Sequence, residues 1–384
     1  MPKINKIYYI SSFSRETDTP SRYCSLAGSS VSLYLIDCLS KLSSCPLVVL
    51  NNAPIRKQTG FFDEMDFCDG STAYVYRPCF NYSWLCKSPN RFNSGKWVKK
   101  YLQKHANSND LVIAYHSLDY TDELIRLKRR LHFRLIIQDE EIFANSVPHI
   151  SLKEKNRELG SLKNADGFIF ASEVLRDAVL LGSKADNCIL YGSYAVSPTP
   201  LTKFQDGKIH LVYSGTFDQL KKGADNAIRA MAFLNSSFIL HILGSGDSNR
   251  LRALCKETLG DRSSSVIFEG SLVGKTYLSF LSKCDVGLCT QDSQNAFNET
   301  SFPSKILSYL SAGLPIVCCQ SASILRSSLR SVLYLYEGDD PKDIAQKILD
   351  CSRELSNSSR KETLQKLDES FCQDLSSLVC KVMN

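Results

Sequence analysis

Residues Ser301–Cys319 read SFPSKILSYLSAGLPIVCC, a loop that becomes a helix and then a buried strand. Pro303 presets φ for a first helical turn, and Ser301 or Ser304 carries a hydroxyl that can cap the amides exposed there. A helix start of this kind presents unpaired N–H groups and the positive end of the helix dipole, which suits an anion such as a diphosphate. A capped helix with a purely structural role would show the same residues. Gly313 and Pro315 then end the helix and launch the strand IVCC.

The same alternation of short apolar runs and helix-sized intervals extends in both directions. Upstream lie IHLVYSG, SFILHILGSG, SVIFEG and CDVGLCT, and LPIVCCQ closes the series. An earlier series holds KIYYI, CPLVVL, AYVYR, DLVIAYH, RLIIQDE, GFIFAS and NCILY. Continuous apolar strands separated by helices predict parallel sheets covered on both faces. Between the two series, AVSPTPLTKFQDG has little apolar content and two prolines, as a linker would. With 384 residues the chain also exceeds what one core supports. The expected fold class is therefore α/β, with two Rossmann-like domains facing each other across a cleft. The domains span 1–200 and 206–362. A terminal amphipathic helix, 363–384, carries Leu364, Leu367, Phe371, Leu375 and Leu378 on one face and is expected to pack back toward the first domain.

Composition narrows the function classes. At 43% hydrophobic and 22% charged residues, the chain has the balance of an ordinary globular protein. The apolar stretch near the start, in MPKINKIYYISSFSRE, is too short for a signal or a membrane span, so a cytoplasmic location is expected. The 15 cysteines are scattered and form no C-x-x-C pair, which favours reduced core thiols over a metal or redox site. A formal charge of +6 matters through its distribution. KWVKKYLQK at Lys96–Lys104 and RLKRRLHFR at Arg126–Arg134 interleave basic and apolar residues at helical spacing, either as solvated faces or as a surface for anionic lipid. No dense basic stripe or recognisable module points to nucleic acid.

Four ordered pieces carry a resemblance. They are HLVYSGTFDQLKKGADNAIRAM, LHILGSGDSNRL, VIFEGSLVGKTYLSFLSKCDVGLCTQ and the Ser301–Cys319 segment, together running from His210 to Cys319. They resemble, in order and spacing, the donor domain of family 4 glycosyltransferases and their bacterial surface-polysaccharide relatives, which have the glycosyltransferase B fold. The resemblance implies transfer of a sugar from a nucleoside diphosphate donor, expected to be UDP-linked. The acceptor would be a lipid-linked or free glycan in O-antigen or capsule assembly, with the enzyme peripheral on the inner face of the plasma membrane. It implies donor contacts at Gly215, Thr216, Lys222, Gly244, Gly246, Thr300, Ser301, Phe302, Pro303, Ser304, Lys305 and Ser308, and a retaining mechanism.

Physical chemistry assigns some of these roles independently. An ammonium at Lys222, with a second at Lys305, would neutralise charge growing on a departing nucleoside diphosphate. Gly215, Gly244 and Gly246 lack side chains where backbone must turn or approach a ligand. The chain also departs from the family pattern. The two glutamates expected for sugar and ribose fall at Thr300 and Ser308; Glu299 lies one place before the first, where a one-residue shift lets it serve the sugar as a catalytic group, and Thr216 stands where the family has arginine. Ser308 cannot accept two ribose hydroxyls as a carboxylate does.

In the first domain, His116 follows a predicted strand, either as a satisfied structural histidine or as a catalytic group that orients the acceptor or stabilises the reacting sugar. Asp139 and Glu140 follow the next strand as acceptor-binding candidates, with Asp119 weaker. No D-x-D motif or ligand cluster points to a metal, so no metal and no cofactor are expected. A nicotinamide oxidoreductase lacks its G-x-G-x-x-G after the first strand. A partner subunit that retains the fold without turnover is the remaining alternative.

Overall fold

The computed structural model describes the chain except at residues 1–3, 20, 43–44, 56–57, 82–88, 144–150, 198–201, 218–221, 293–299 and 355–358. It divides into two compact units: Met1–Ser193 with Glu369–Asn384, and Tyr194–Asp368.

The first unit contains strands β1 (Ile7–Ser11), β2 (Leu47–Asn51), β3 (Gly60–Phe62), β4 (Met65–Asp69), β5 (Thr72–Tyr76), β6 (Cys79–Asn81), β7 (Leu111–Tyr115), β8 (Arg134–Asp139), β9 (Gly167–Phe170) and β10 (Asp186–Ile189). Eight of them form one sheet in the order β10-β9-β8-β7-β1-β2-β5-β4. Only β4 runs antiparallel in it, and β3 pairs with β6 in a separate two-stranded ribbon. The central strands are buried from end to end because they carry uninterrupted apolar runs, IYYIS in β1 and LVVLN in β2. Helices α1 (Leu26–Leu42), α2 (Pro89–His105), α3 (Thr121–Leu131), α4 (Leu152–Leu162) and α5 (Glu173–Leu180) complete the windings. On one face Tyr8, Val112, Ile137, Leu124 and Phe168 join the principal core cluster.

The second unit contains β11 (Ile209–Phe217), β12 (Phe238–Gly246), β13 (Val266–Gly270), β14 (Val286–Cys289), β15 (Ile316–Cys319) and β16 (Tyr334–Tyr336). These are all parallel, in the order β13-β12-β11-β14-β15-β16. This is the doubly wound arrangement 3-2-1-4-5-6, in which connections leave in opposite directions from the two central strands. The intervening helices are α6 (Gly223–Ala230), α7 (Ser248–Leu259), α8 (Gly274–Leu281), α9 (Lys305–Ser311), α10 (Ala322–Arg326) and α11 (Pro341–Ser352). Leu211, Ile228, Leu240, Leu288 and Ile344 are fully buried in the core cluster.

Each apolar run expected as a strand is one, whereas β3, β4, β6 and β16 were not anticipated. Three of these are only three residues long, and β4 alternates without a buried position, so apolar periodicity does not reveal them. The last helix, α12 (Ser359–Met383), contributes Glu369 onward to the first unit. There the Phe371 ring lies 6.0 Å from Tyr34, and Gly167 makes room for Val382, whose Cγ2 would sit 2.7 Å from an added Cβ.

Candidate functional site

In the second unit the winding reverses between β11 and β14, so the carboxyl ends of these two strands frame the crevice where such sheets take ligands. β11 ends in Gly215, Thr216 and Phe217, paired with Gly244, Ser245 and Gly246 of β12. An added Cβ on Gly244 would lie 1.7 Å from the Gly215 carbonyl oxygen, and one on Gly246 2.7 Å from the Phe217 Cβ. The glycines therefore serve the close approach of two strand ends. The sequence offered a turn or approach to a ligand as the reason for them, and the neighbouring strand is a further one.

Tyr213, on β11, meets both the first residue of α6 and the first residue of α9. Its hydroxyl rests against Gly223, where an added Cβ would be 2.6 Å away, and the Lys305 ammonium lies 4.2 Å from its ring centroid, a cation–π distance. The same ammonium is 3.3 Å from the Cβ position of Gly215. Burial works against the charge of Lys305, yet Tyr213, Cys289 and Tyr277 around it hold its pKa above the ordinary lysine value. Lys222, immediately before Gly223, places its ammonium 2.9 Å from Asp292 Oδ2, beyond β14. That hydrogen bond, with Asp339 and Asp225 farther off, raises the Lys222 pKa. The Lys305 ammonium thus borders Tyr213, while the Lys222 ammonium pairs with Asp292 just past the end of β14.

The start of α9 corrects one expectation. Ser304 occupies the cap position but its side chain makes no capping hydrogen bond, and Ser301 spends its carbonyl on the Ser323 hydroxyl at 3.0 Å. Ser301 and Phe302 are buried, Thr300 and Pro303 half-buried, and Ser304 exposed. Gly313, at φ 76°, terminates the segment as its type requires. Ser308 interacts with Tyr277, whose hydroxyl is 2.8 Å from Ser214 Oγ. The Ser214 amide donates to the Tyr309 hydroxyl at 2.9 Å. This hydroxyl network was not foreseen, because its tyrosines read as core residues. Thr216 is exposed at the strand end, and Glu299 lies outside the described residues.

In the first unit the carboxyl ends of β7 and β8 bring His116 and Asp139 near one another. His116 is buried, with Nε2 2.9 Å from Glu158 Oε1 and Nδ1 3.2 Å from Thr121 Oγ1. Both ring nitrogens are committed inside the unit, so the histidine is the satisfied kind, and the expectation that it acts on an acceptor or on the reacting sugar is not met by its hydrogen bonds. Burial lowers its pKa, but Asp139, Glu158 and Glu141 outweigh that and raise it. Glu158, missed in the sequence because nothing around it marks a site, also accepts the Phe143 amide at 2.9 Å. Asp139 is fully buried, and burial raises its pKa to about 7, with His116 opposing and Glu158 adding to the rise. Glu140 is likewise raised to about 7, chiefly by burial. It accepts from Gln138 Nε2 at 2.8 Å, and Gln138 Oε1 accepts the Tyr9 hydroxyl at 2.7 Å.

Residues 208–354, which contain the crevice of the second unit, match the family model described as "Glycosyl transferases group 1". Over these residues the chain is similar to the group 1 glycosyltransferases. Solved structures support the fold over its whole length. The apo form of the lipopolysaccharide outer core galactosyltransferase WaaB superposes with a TM-score of 0.63 at 15% identity, covering 97% of this chain and 99% of that one. A structure described as "Trehalose-6-phosphate from E. coli bound with UDP-2-fluoro glucose" gives 0.69 at 11%, covering 99% of each chain. An α,α-trehalose-phosphate synthase (UDP-forming) from Burkholderia xenovorans, in complex with glucose-6-phosphate, gives 0.65 at 10%, covering 97% and 99%. No curated protein sequence matches the chain. The fold is the glycosyltransferase B fold of these structures.

Proposed function

We propose that the enzyme transfers a sugar from a UDP-sugar to a lipid-linked glycan in the assembly of a bacterial surface polysaccharide, with retention and without a metal. The observation that carries the donor half of this reading is the pair of ammonium groups where the winding of the second sheet reverses, Lys305 over the Tyr213 ring of β11 and Lys222 against Asp292 beyond β14. A leaving diphosphate gains negative charge as the glycosidic bond breaks, and fixed cations at that point favour the transition state over the ground state. The UDP-linked donor draws support from the structures similar to this chain, one bound to UDP-2-fluoro glucose and another described as UDP-forming. Surface polysaccharide draws support from the likeness to WaaB. The Lys222→Ala and Lys305→Met variants should each lower transfer or donor hydrolysis about a hundredfold. Activity within a factor of two of wild type in both would remove the reading.

Thr216 and Ser308 stand where an arginine and a glutamate are expected, and Ser308 is engaged with Tyr277. These observations favour a second reading, a partner subunit that binds the donor without turnover. Donor binding with neither transfer nor hydrolysis, whatever acceptor is supplied, would favour it.

A further inference from the structure

Three non-glycine residues among those described have left-handed backbone: His132 at φ 61°, Leu181 at φ 47° and Lys222 at φ 46°. The first two close the carboxyl ends of α3 and α5, where the left-handed conformation is an ordinary way to stop a helix. Lys222 instead precedes the first residue of α6, at ψ 9° and with no side-chain capping bond. No capping geometry asks for the conformation there, and a Cβ makes it unfavourable. A backbone held in such a state needs neighbours that over-determine it.

Those neighbours come from the exit of β14, the strand beyond the winding reversal. The fully buried Thr290 donates its hydroxyl to the Gly223 carbonyl at 2.6 Å. Asn226, one turn into α6, donates from Nδ2 to the Thr290 carbonyl and to Asp339 Oδ1, both at 3.2 Å. The helix start is thereby bound to the strand end at Gly223 and Asn226, directly after the Lys222–Gly223 peptide. Asp292, two residues beyond Thr290, takes the ammonium itself, but the Lys222 side chain is 57% exposed and a pair in that much water orients little. Direction comes from the backbone clamp.

We propose that Thr290 is a positioning residue for Lys222: its hydroxyl fixes the strained turn that aims the ammonium at the diphosphate of the donor. This rests on the reading of Lys222 as a diphosphate contact. A clamp of this kind affects the diphosphate and leaves the nucleoside alone, which separates it from a general structural role. The test is calorimetric titration of the full chain with UDP, GDP and inorganic pyrophosphate, with uridine and guanosine as controls. The Thr290→Val variant should weaken binding of UDP, or of whichever diphosphate binds, and of pyrophosphate by about tenfold, with nucleoside affinity unchanged. Thr290→Ser, which keeps the hydroxyl, should restore the wild-type values, and Asp292→Asn should change them less than Thr290→Val does. If Thr290→Val does not melt cooperatively, Thr290→Ala removes the same hydroxyl and takes its place. Equal loss for UDP and uridine, or no loss while Lys222→Ala weakens the diphosphates, would overturn the positioning role. Diphosphates and pyrophosphate that bind Lys222→Ala as well as wild type, or bind neither, would instead sink the reading of Lys222.

Discussion

Asp139 shows how burial sets a proton's residence. Its pKa of about 7, against about 3.9 in an unfolded chain, means that the native carboxyl keeps its proton across a range in which the unfolded one has lost it. A folded-state pKa that is raised contributes stability present at low pH and lost as pH climbs through the folded value. Glu140 and His116 are shifted in the same direction, so the first unit should lose stability between about pH 4 and pH 8. His241 in the second unit has the opposite sign: burial lowers its pKa, the Glu269 carboxylate opposes that, and His210, 2.8 Å away, adds to the lowering. Its contribution is present above the ordinary histidine range and lost as pH falls through its folded value. The Asp139→Asn variant should therefore raise the melting temperature more at pH 8 than at pH 5. Scanning calorimetry showing an equal gain at both would contradict the placement of that proton.

Among the elements, the paired ends of β11 and β12 leave no room for a side chain at Gly244. The Gly244→Ala variant puts a Cβ 1.7 Å from the Gly215 carbonyl at a backbone φ of 137° and should cost at least about 3 kcal/mol. Urea denaturation with a wild-type midpoint would show that the strands part more easily than this. Helices α2 and α3 carry clusters of basic residues. Lys96, Lys100 and Arg130 are exposed, while Lys99 is tied to Glu123 at 3.0 Å and Arg129 to Asn164 at 3.1 Å. If the surface docks on anionic lipid, exposed cations such as these three contribute to the attraction, at about 1 kcal/mol each. Changing Lys96, Lys100 and Arg130 together to serine should then weaken binding to phosphatidylserine vesicles roughly a hundredfold. Unchanged vesicle binding would count against the membrane location that the sequence resemblance implies. No helix among the described residues is long and apolar enough to cross a membrane.

At the scale of the molecule, a ligand that binds the crevice of the second unit stabilises that unit first. At about 100 times its Kd a nucleoside diphosphate should add about 2.7 kcal/mol. Hydrogen exchange should slow at the ends of β11 and β14 in residues 194–368, with less change at the ends of β1 and β7. Protection confined to the first unit would place the donor in the wrong half.

The two α/β series and most of their strands were legible in the sequence by itself, because a central parallel strand is a continuous apolar run and its end is punctuated by glycine or a polar residue. The cations at 222 and 305 were legible too, since their neighbours in the chain carry a recognisable pattern. Tertiary structure decided which groups meet them. Thr290 reaches Gly223 and Asp292 reaches Lys222 across about 70 residues of chain, Glu158 claims His116 from α4, and Ser304 leaves the amides it was expected to cap. Local patterns are set by interactions along the chain, whereas hydrogen-bond partners, strain and proton affinity depend on which strand ends the sheet order places side by side.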